Sequence, residues 1–310
     1  AEMKDGEYNG EVKEYYPNGN LQSKETFVDG KRTEYYCYYD ENGQKLTEGY
    51  LKDGEEDGEK ITYFEGRIHF SEVWKNSKRN GMSKFYNLDG KREREGIYKN
   101  GKRDGKWIFY YENENKKWEG NYKEGRVEGE LIQYRKTGQL KSKENFVNQV
   151  LEGKYEYYHK NGTLRQIGSM RNTLKDGEIK SYWEDGTLQA IENFKNGFKH
   201  GVLKRYRMDQ HLIMTGQYVN NYRDGIWTQW YEDDHKKMEE LYENGILKKI
   251  TDWTESGQKI SEVERDGTLN HGNYILWYEN GNKKQHSIYK NGKRDGKWIF
   301  YYENENKKWE

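Results

Sequence analysis

Seven histidines, one cysteine and a dense supply of carboxylates are the side chains of this 310-residue chain that could bind a metal or move a proton. Their spacing argues against both. His211 and His235 occupy the same place in two successive hairpins, about 10 Å apart at two strand spacings, which is too far to share a zinc ion. His200 and His271 stand where equivalent positions carry Asp before a glycine, and read as turn substitutions. Cys37 is alone, which rules out an intrachain disulfide and a thiolate zinc cluster and leaves it as a small apolar filler. Carboxylates abound, but acid–base catalysis needs a concave, partly desolvated setting that drives two pKa values apart, and a thin sheet offers little of that. The sequence contains no phosphate-binding glycine loop, nucleophile elbow or EF-hand loop. We therefore expect no catalytic residue, no metal and no cofactor.

The elements that would have to position any chemistry are themselves unusual. Only 32% of residues are hydrophobic and aromatics supply nearly half of them, so the aliphatic stock for a globular centre is thin. Disorder is excluded by 29 Tyr, 10 Trp and 9 Phe, because disordered chains are poor in aromatics. Lys and Arg number 54 and so do Asp and Glu, with the signs interleaved; without a concentrated basic run, nucleic acid is not an expected partner. No apolar run approaches the roughly 20 residues of a membrane-spanning helix. The chain opens on Ala1 rather than Met, and a removed leader with a secreted or cell-surface location is the expectation.

The organisation is a repeat. Gly10, Gly58, Gly81, Gly105, Gly129, Gly153, Gly177, Gly201, Gly225, Gly272 and Gly296, with Glu34 and Lys249 in the same role, recur every 23 or 24 residues. The fifth residue after this anchor reads Tyr15, Tyr39, Tyr63, Tyr86, Tyr110, Tyr134, Tyr158, Tyr182, Tyr206, Trp230, Thr254, Trp277 and Tyr301, aromatic in all but one case. A second column, 16 or 17 residues after the anchor, includes Phe27, Leu51, Trp74, Tyr98, Tyr122, Phe146 and Phe194. Between the columns fall Asn18-Gly19, Asn161-Gly162, Asp185-Gly186 or Asn280-Gly281, and Asp29-Gly30, Asn100-Gly101 or Asn291-Gly292 close the unit; such dipeptides tolerate the positive φ of tight turns. Each unit is thus strand, turn, strand, turn, and glycine recurs too often for a packed helix.

The predicted fold is all-β: an elongated single-layer antiparallel meander solenoid of 12–13 hairpins over residues 1–310. The repeats run 9–32, 33–56, 57–79, 80–103, 104–127, 128–151, 152–175, 176–199, 200–223, 224–247, 248–270, 271–294 and, in part, 295–310. At about 4.8 Å per strand it would extend on the order of 120 Å. The aromatic column at the fifth position, Trp230 and Trp277 included, reads as the structural ladder, and the anchor glycine as bare backbone on which a neighbouring ring packs. Trp107, Trp118, Trp227 and Trp298 lie off that column and are expected to be partly exposed, which makes them the candidate partner contacts. The repeat holding Lys249, Thr254 and Asp266 breaks the pattern and reads as a weak link or bend.

Segments such as Asp104-Gly105-Lys106-Trp107-Ile108-Phe109-Tyr110-Tyr111 and Tyr98-Lys99-Asn100-Gly101-Lys102-Arg103-Asp104-Gly105 resemble the MORN repeat, in the bacterial variant subclass whose units read roughly G-x-W-x-x-Y-Y-x-N-G. The resemblance covers essentially the whole chain. It implies a hairpin array used for interaction, scaffolding or surface attachment, with no shared catalytic residues; some bacterial relatives carry an antitoxin assignment and eukaryotic relatives are linked to membranes. Another protein is the expected partner, ahead of a membrane surface or a glycan. The rival expectation is a choline- or carbohydrate-binding surface module, since choline-binding repeats are also aromatic hairpins. Ile97–Glu119 recurs unchanged as Ile288–Glu310, which suggests recent duplication, and the array is expected to continue beyond it.

Overall fold

Two kinds of turn, alternating along the chain, set the architecture. In the first, Tyr16 N donates to Asn20 O (2.8 Å) and Gly19 N to Tyr16 O (2.9 Å), and within this turn only Gly19 takes positive φ. Asn18 works through its carboxamide instead: Oδ1 accepts from Asn20 N (2.9 Å) and Nδ2 donates to Glu41 O in the next hairpin (2.8 Å). In the second kind both central residues are left-handed, as at Asn100 (φ 50°) and Gly101 (φ 80°). That is the two-residue hairpin turn whose twist matches the strands.

The computed structural model describes residues 2–310. Among them are thirty strands and no helix. Internal contacts divide the chain into two units, one ending at Leu151 and the other beginning at Glu152. Each is an antiparallel meander of hairpins: in the first, Arg92–Lys99, Lys102–Tyr110, Lys116–Lys123 and Arg126–Tyr134 pair in succession, and in the second, Leu212–Val219, Tyr222–Trp230, Lys236–Glu243 and Ile246–Trp253 do the same.

At Gly58 a Cβ would meet the Tyr50 ring at 3.5 Å, but at other positions the anchor glycine has a different role from the one expected. Across Lys116–Lys123 and Arg126–Tyr134 the register runs Gly120 to Leu131 and then Asn121 to Glu128, so Gly129 and Glu130 form a bulge. Gly129 has φ 77°, and a Cβ built on it would meet nothing within 4 Å. No ring packs there; the glycine is needed because L side chains rarely adopt this backbone conformation. Glu34 occupies the same place at φ 59°. In the eleventh repeat the bulge is one residue shorter, Leu241 to Lys249 and then Tyr242 to Leu247. The shortening moves Trp253, not Thr254, into line with Trp230 at the strand end. The aromatic column is therefore unbroken there, and the expected weak link is a one-residue deletion.

The two faces of the sheet are unlike, and two of the four tryptophans expected to be partly exposed lie in the core. The second residue after the anchor provides the core: Val12, Tyr36, Trp107, Tyr155, Ile179, Leu203 and Trp227 are all buried. Trp107 is 0% and Trp227 2% exposed, so neither is the partly exposed contact residue anticipated from sequence. Trp118 and Trp298 are half-buried, Trp118 stacked on Phe109 at 3.8 Å and Trp298 beneath the Arg294 guanidinium at 3.7 Å. In contrast, the column from Tyr39 to Tyr301 is only half-buried and Tyr15 is exposed. It lies on the opposite, polar face.

The bulge also builds the roof of the core. Residues four apart on a straight strand are about 13 Å apart, yet the Arg103 guanidinium carbon lies 4.6 Å from the Trp107 ring, and Arg223 lies 4.4 Å from Trp227. A planar cation over an indole excludes water from an otherwise open sheet face.

Candidate interaction surfaces

On the polar face several tyrosines of the column reach back to the preceding hairpin. Tyr110 OH donates to Glu95 Oε1 (2.6 Å) and Tyr134 OH to Glu119 Oε1 (2.6 Å); Tyr63 OH donates to Glu48 in the same way. A basic residue three positions before the glutamate completes each group, Lys116 to Glu119 at 3.0 Å, Lys45 to Glu48 at 2.7 Å and Arg92 to Glu95 at 3.6 Å. Lys116 Nζ also lies 6.0 Å from the Tyr134 ring. Burial pushes the Tyr110 and Tyr134 hydroxyls up to about 12, helped by the carboxylates they face.

Glu119 shows what these groups do. Burial would raise its pKa, but hydrogen bonds from Lys106, the Tyr134 hydroxyl and Lys116 outweigh it and hold the carboxyl at about 2, below its ordinary 4.5. A depressed folded-state pKa contributes stability that is complete above the unfolded value and is lost as pH falls through the folded one. Wild type should therefore lose urea resistance between about pH 4.5 and about pH 2, and its advantage over Glu119→Gln should shrink across that window. A constant gap would show that this network does not stabilise the fold.

Four of the seven histidines serve turns. His159 Nε2 lies 2.9 Å from Tyr182 O, in the place where Tyr111 OH donates to Tyr134 O (3.0 Å) and Tyr278 OH to Tyr301 O (2.9 Å). His271 Nδ1 accepts from Asn291 N at 3.4 Å, doing the work of Asp176, which accepts from Asn196 N at 3.1 Å. His211 pairs with Asp234 and His235 with Asp233. Among the described residues no group of three or more His, Cys, Asp or Glu is arranged to hold a metal ion. In the second unit a recess of about 310 Å³ opens beside Trp253, Glu239 and Glu262. Its carboxylates are neutralised, Glu239 by Lys236 at 2.6 Å and Glu262 by Lys259 at 2.8 Å and Lys249 at 2.9 Å. Despite burial, these lysines hold Glu262 below the usual carboxylate range, opposite to what a general acid requires.

A surface feature absent from the sequence reading lies at the two-residue turns of the second unit. Leu174, Phe198, Tyr222, Ile246 and Leu269 follow five successive turns, and all are exposed, Tyr222 by 65%. Each turn position is unremarkable alone; only stacking of the hairpins aligns them. The corresponding residues of the first unit are Glu7, Lys31, Glu55, Lys78, Lys102 and Arg126, all charged, and then Val150, which is exposed by 39%.

Fold and surface together define a hairpin-repeat scaffold. The chain belongs to the MORN repeat variant family, whose model matches residues 8–29, 79–100, 103–124, 127–148, 151–172, 175–196, 223–244 and 270–291. Among the stretches it passes over are the repeat with Glu34, the repeat turned by Glu65-Gly66, and the repeat with the shortened bulge, all of which still form hairpins. Comparison with the curated proteins found no match. Similar solved structures include a TcdB2-TccC3 complex, at 11% identity over 94% of this chain and 19% of that one with a TM-score of 0.20. Another is a Tc holotoxin pore of Photorhabdus luminescens, at 12% identity over 95% and 18% with a TM-score of 0.21. The chain spans about a fifth of the length of these proteins, and likeness at this level says nothing of its function.

Proposed function

We propose that this chain is a non-catalytic scaffold that binds another protein, in a bacterial setting at the cell surface or as an antitoxin-like binder. The observation that carries the binding role is the row of Leu174, Phe198, Tyr222, Ile246 and Leu269: five large apolar side chains left in solvent on one edge. Contiguous exposed apolar surface of this kind marks interaction sites, and tyrosine is enriched among residues that dominate binding energy. The bacterial and antitoxin setting rests on the resemblance of the repeat unit to that subclass. A choline-binding role is disfavoured because the best aromatic faces are already covered by the chain's own guanidinium groups, Arg103 on Trp107 and Arg223 on Trp227.

The test pairs wild type with Phe198→Asp/Tyr222→Asp in affinity capture from the native source. We expect the variant to keep its melting temperature within about 2 °C and to lose a partner that wild type retains. Equal capture by both would exclude this edge. A choline- or glycan-induced rise in melting temperature would favour the rival module.

A further inference from the structure

The residues that close the two-residue turns of the first unit carry an electrostatic cost. Lys52 faces Glu55 across one turn, but the next three are closed by Lys75–Lys78, Lys99–Lys102 and Lys123–Arg126. Like charges directly opposite one another destabilise a strand pair, and Lys52–Glu55 shows that the same turn accepts the favourable arrangement. All six basic residues are exposed, and none has an ion-pair partner among the described residues. Lys102, Lys123 and Arg126 line a recess of about 360 Å³ with Glu124, Glu128 and Asn148. The Glu128 carboxylate is already engaged by Asn148 N at 2.8 Å.

The complementary charge is carried by the same chain. Twelve basic residues face five acidic ones between Arg67 and Lys106, whereas twelve acidic residues face six basic ones between Asp224 and Asp266, and the whole chain sums to zero. In the second unit the other kind of turn presents exposed carboxylates in five successive hairpins: Glu184 and Asp185, Asp209, Glu232 with Asp233 and Asp234, Glu255, and Glu279. Both rows repeat once per hairpin, about 10 Å at two strand spacings. Rungs of one row therefore match rungs of the other in register.

We propose that the basic turn edge of the first unit docks onto the acidic turn edge of the second unit in another copy of this chain. Such a contact is heterologous, leaves one free edge of each kind, and propagates into rings or open chains. A single-stranded nucleic acid fits the basic edge less well, because its rungs carry no aromatic ring on which bases stack.

Sedimentation velocity over a range of protein concentrations tests this. At about 0.01 M salt the weight-average sedimentation coefficient should rise with concentration, and at about 1 M salt it should not, since screening removes the attraction. The variant Lys78→Glu/Lys102→Glu/Arg126→Glu converts the three closing pairs to the Lys52–Glu55 type, so it should melt no lower than wild type while self-association weakens at least about tenfold, roughly 1.4 kcal/mol. Mixed with Glu232→Lys/Glu255→Lys, which keeps the basic edge, it should form complexes that stop at two chains. A wild type that is monomeric at low salt, or a triple variant that associates as strongly as wild type, would overturn the proposal; so would a heparin complex formed by a chain that stays monomeric at low salt.

Discussion

Trp107→Ala is expected to destabilise the first unit by about 3–5 kcal/mol, the range for removing a fully buried aromatic side chain. The indole is fully buried, its Nε1 donates to Ile97 O at 2.9 Å, and the Tyr98 ring meets it edge-on at 5.0 Å. Arg103 would lose the surface it covers. Tyr110→Phe, by comparison, removes only the hydroxyl that binds the Glu95 carboxylate at the half-buried polar face, a loss of about 1.5 kcal/mol. Urea melts of the two variants give the comparison. Because stability in a repeat array is local and nearest-neighbour in kind, hydrogen exchange in Trp107→Ala should accelerate most in Arg92–Lys99, Lys102–Tyr110 and Lys116–Lys123. If Tyr110→Phe costs as much as Trp107→Ala, the polar face contributes to the core after all.

The second large effect belongs to a glycine that the repeat alignment passed over. Gly96 pairs with Trp107 on the next strand, and a Cβ built on it would lie 2.3 Å from Trp107 Cδ2, inside the ring system. Gly216 stands in the same relation to Trp227, at 2.2 Å. Neither has positive φ, so the requirement is space and not backbone conformation. Gly96→Ala should cost about 1–3 kcal/mol through overpacking, and about 1 kcal/mol more if the Trp107 to Ile97 hydrogen bond is lost. Gly120 is the internal control: it holds the same repeat position opposite Leu131, and its Cβ would find ordinary contact at 3.5 Å. Gly120→Ala should be neutral or slightly stabilising, because alanine restricts the unfolded chain. In the Trp107→Ala background Gly96→Ala should lose most of its effect, a coupling that a double-mutant cycle reads directly. Additive losses would mean that the glycine and the indole act separately.

Period, two strands per repeat and turn positions were legible in the sequence because they rest on local chemistry: glycine and asparagine accept positive φ, and glycine every dozen residues excludes helix. The most regular column, which reads as the structural ladder, is nevertheless not the buried core. Tyr110, Tyr134 and Tyr63 are regular because a hydroxyl at one reach must meet a glutamate of the previous hairpin. The true core column varies from Val12 through Trp107 to Leu203, since any apolar shape fills it if its neighbours adjust. Regularity of residue type marked a geometric requirement, not burial.

The duplicated segment separates what sequence fixes from what neighbours decide. Ile97–Glu119 and Ile288–Glu310 are identical, and both form the strand Lys-Arg-Asp-Gly-Lys-Trp-Ile-Phe-Tyr with the same bulge glycine, φ 76° at Gly105 and 77° at Gly296. Both also stack a tryptophan on a phenylalanine, Trp118 on Phe109 and Trp309 on Phe300. Yet Trp107 Nε1 is bonded to Ile97 O, while Trp298 Nε1 has no partner among the described residues. The difference lies one strand away: Gly96 faces Trp107, whereas Ser287 faces Trp298. A missing Cβ lets the first indole settle onto the neighbouring backbone and reach its carbonyl, and a serine side chain holds the second one off. Local sequence alone determined the strand, the bulge and the turns, because those depend on φ, ψ and hydrogen bonds within a few residues. Which face became core, and which indole met its neighbour's carbonyl, was decided only when the adjacent strand packed alongside.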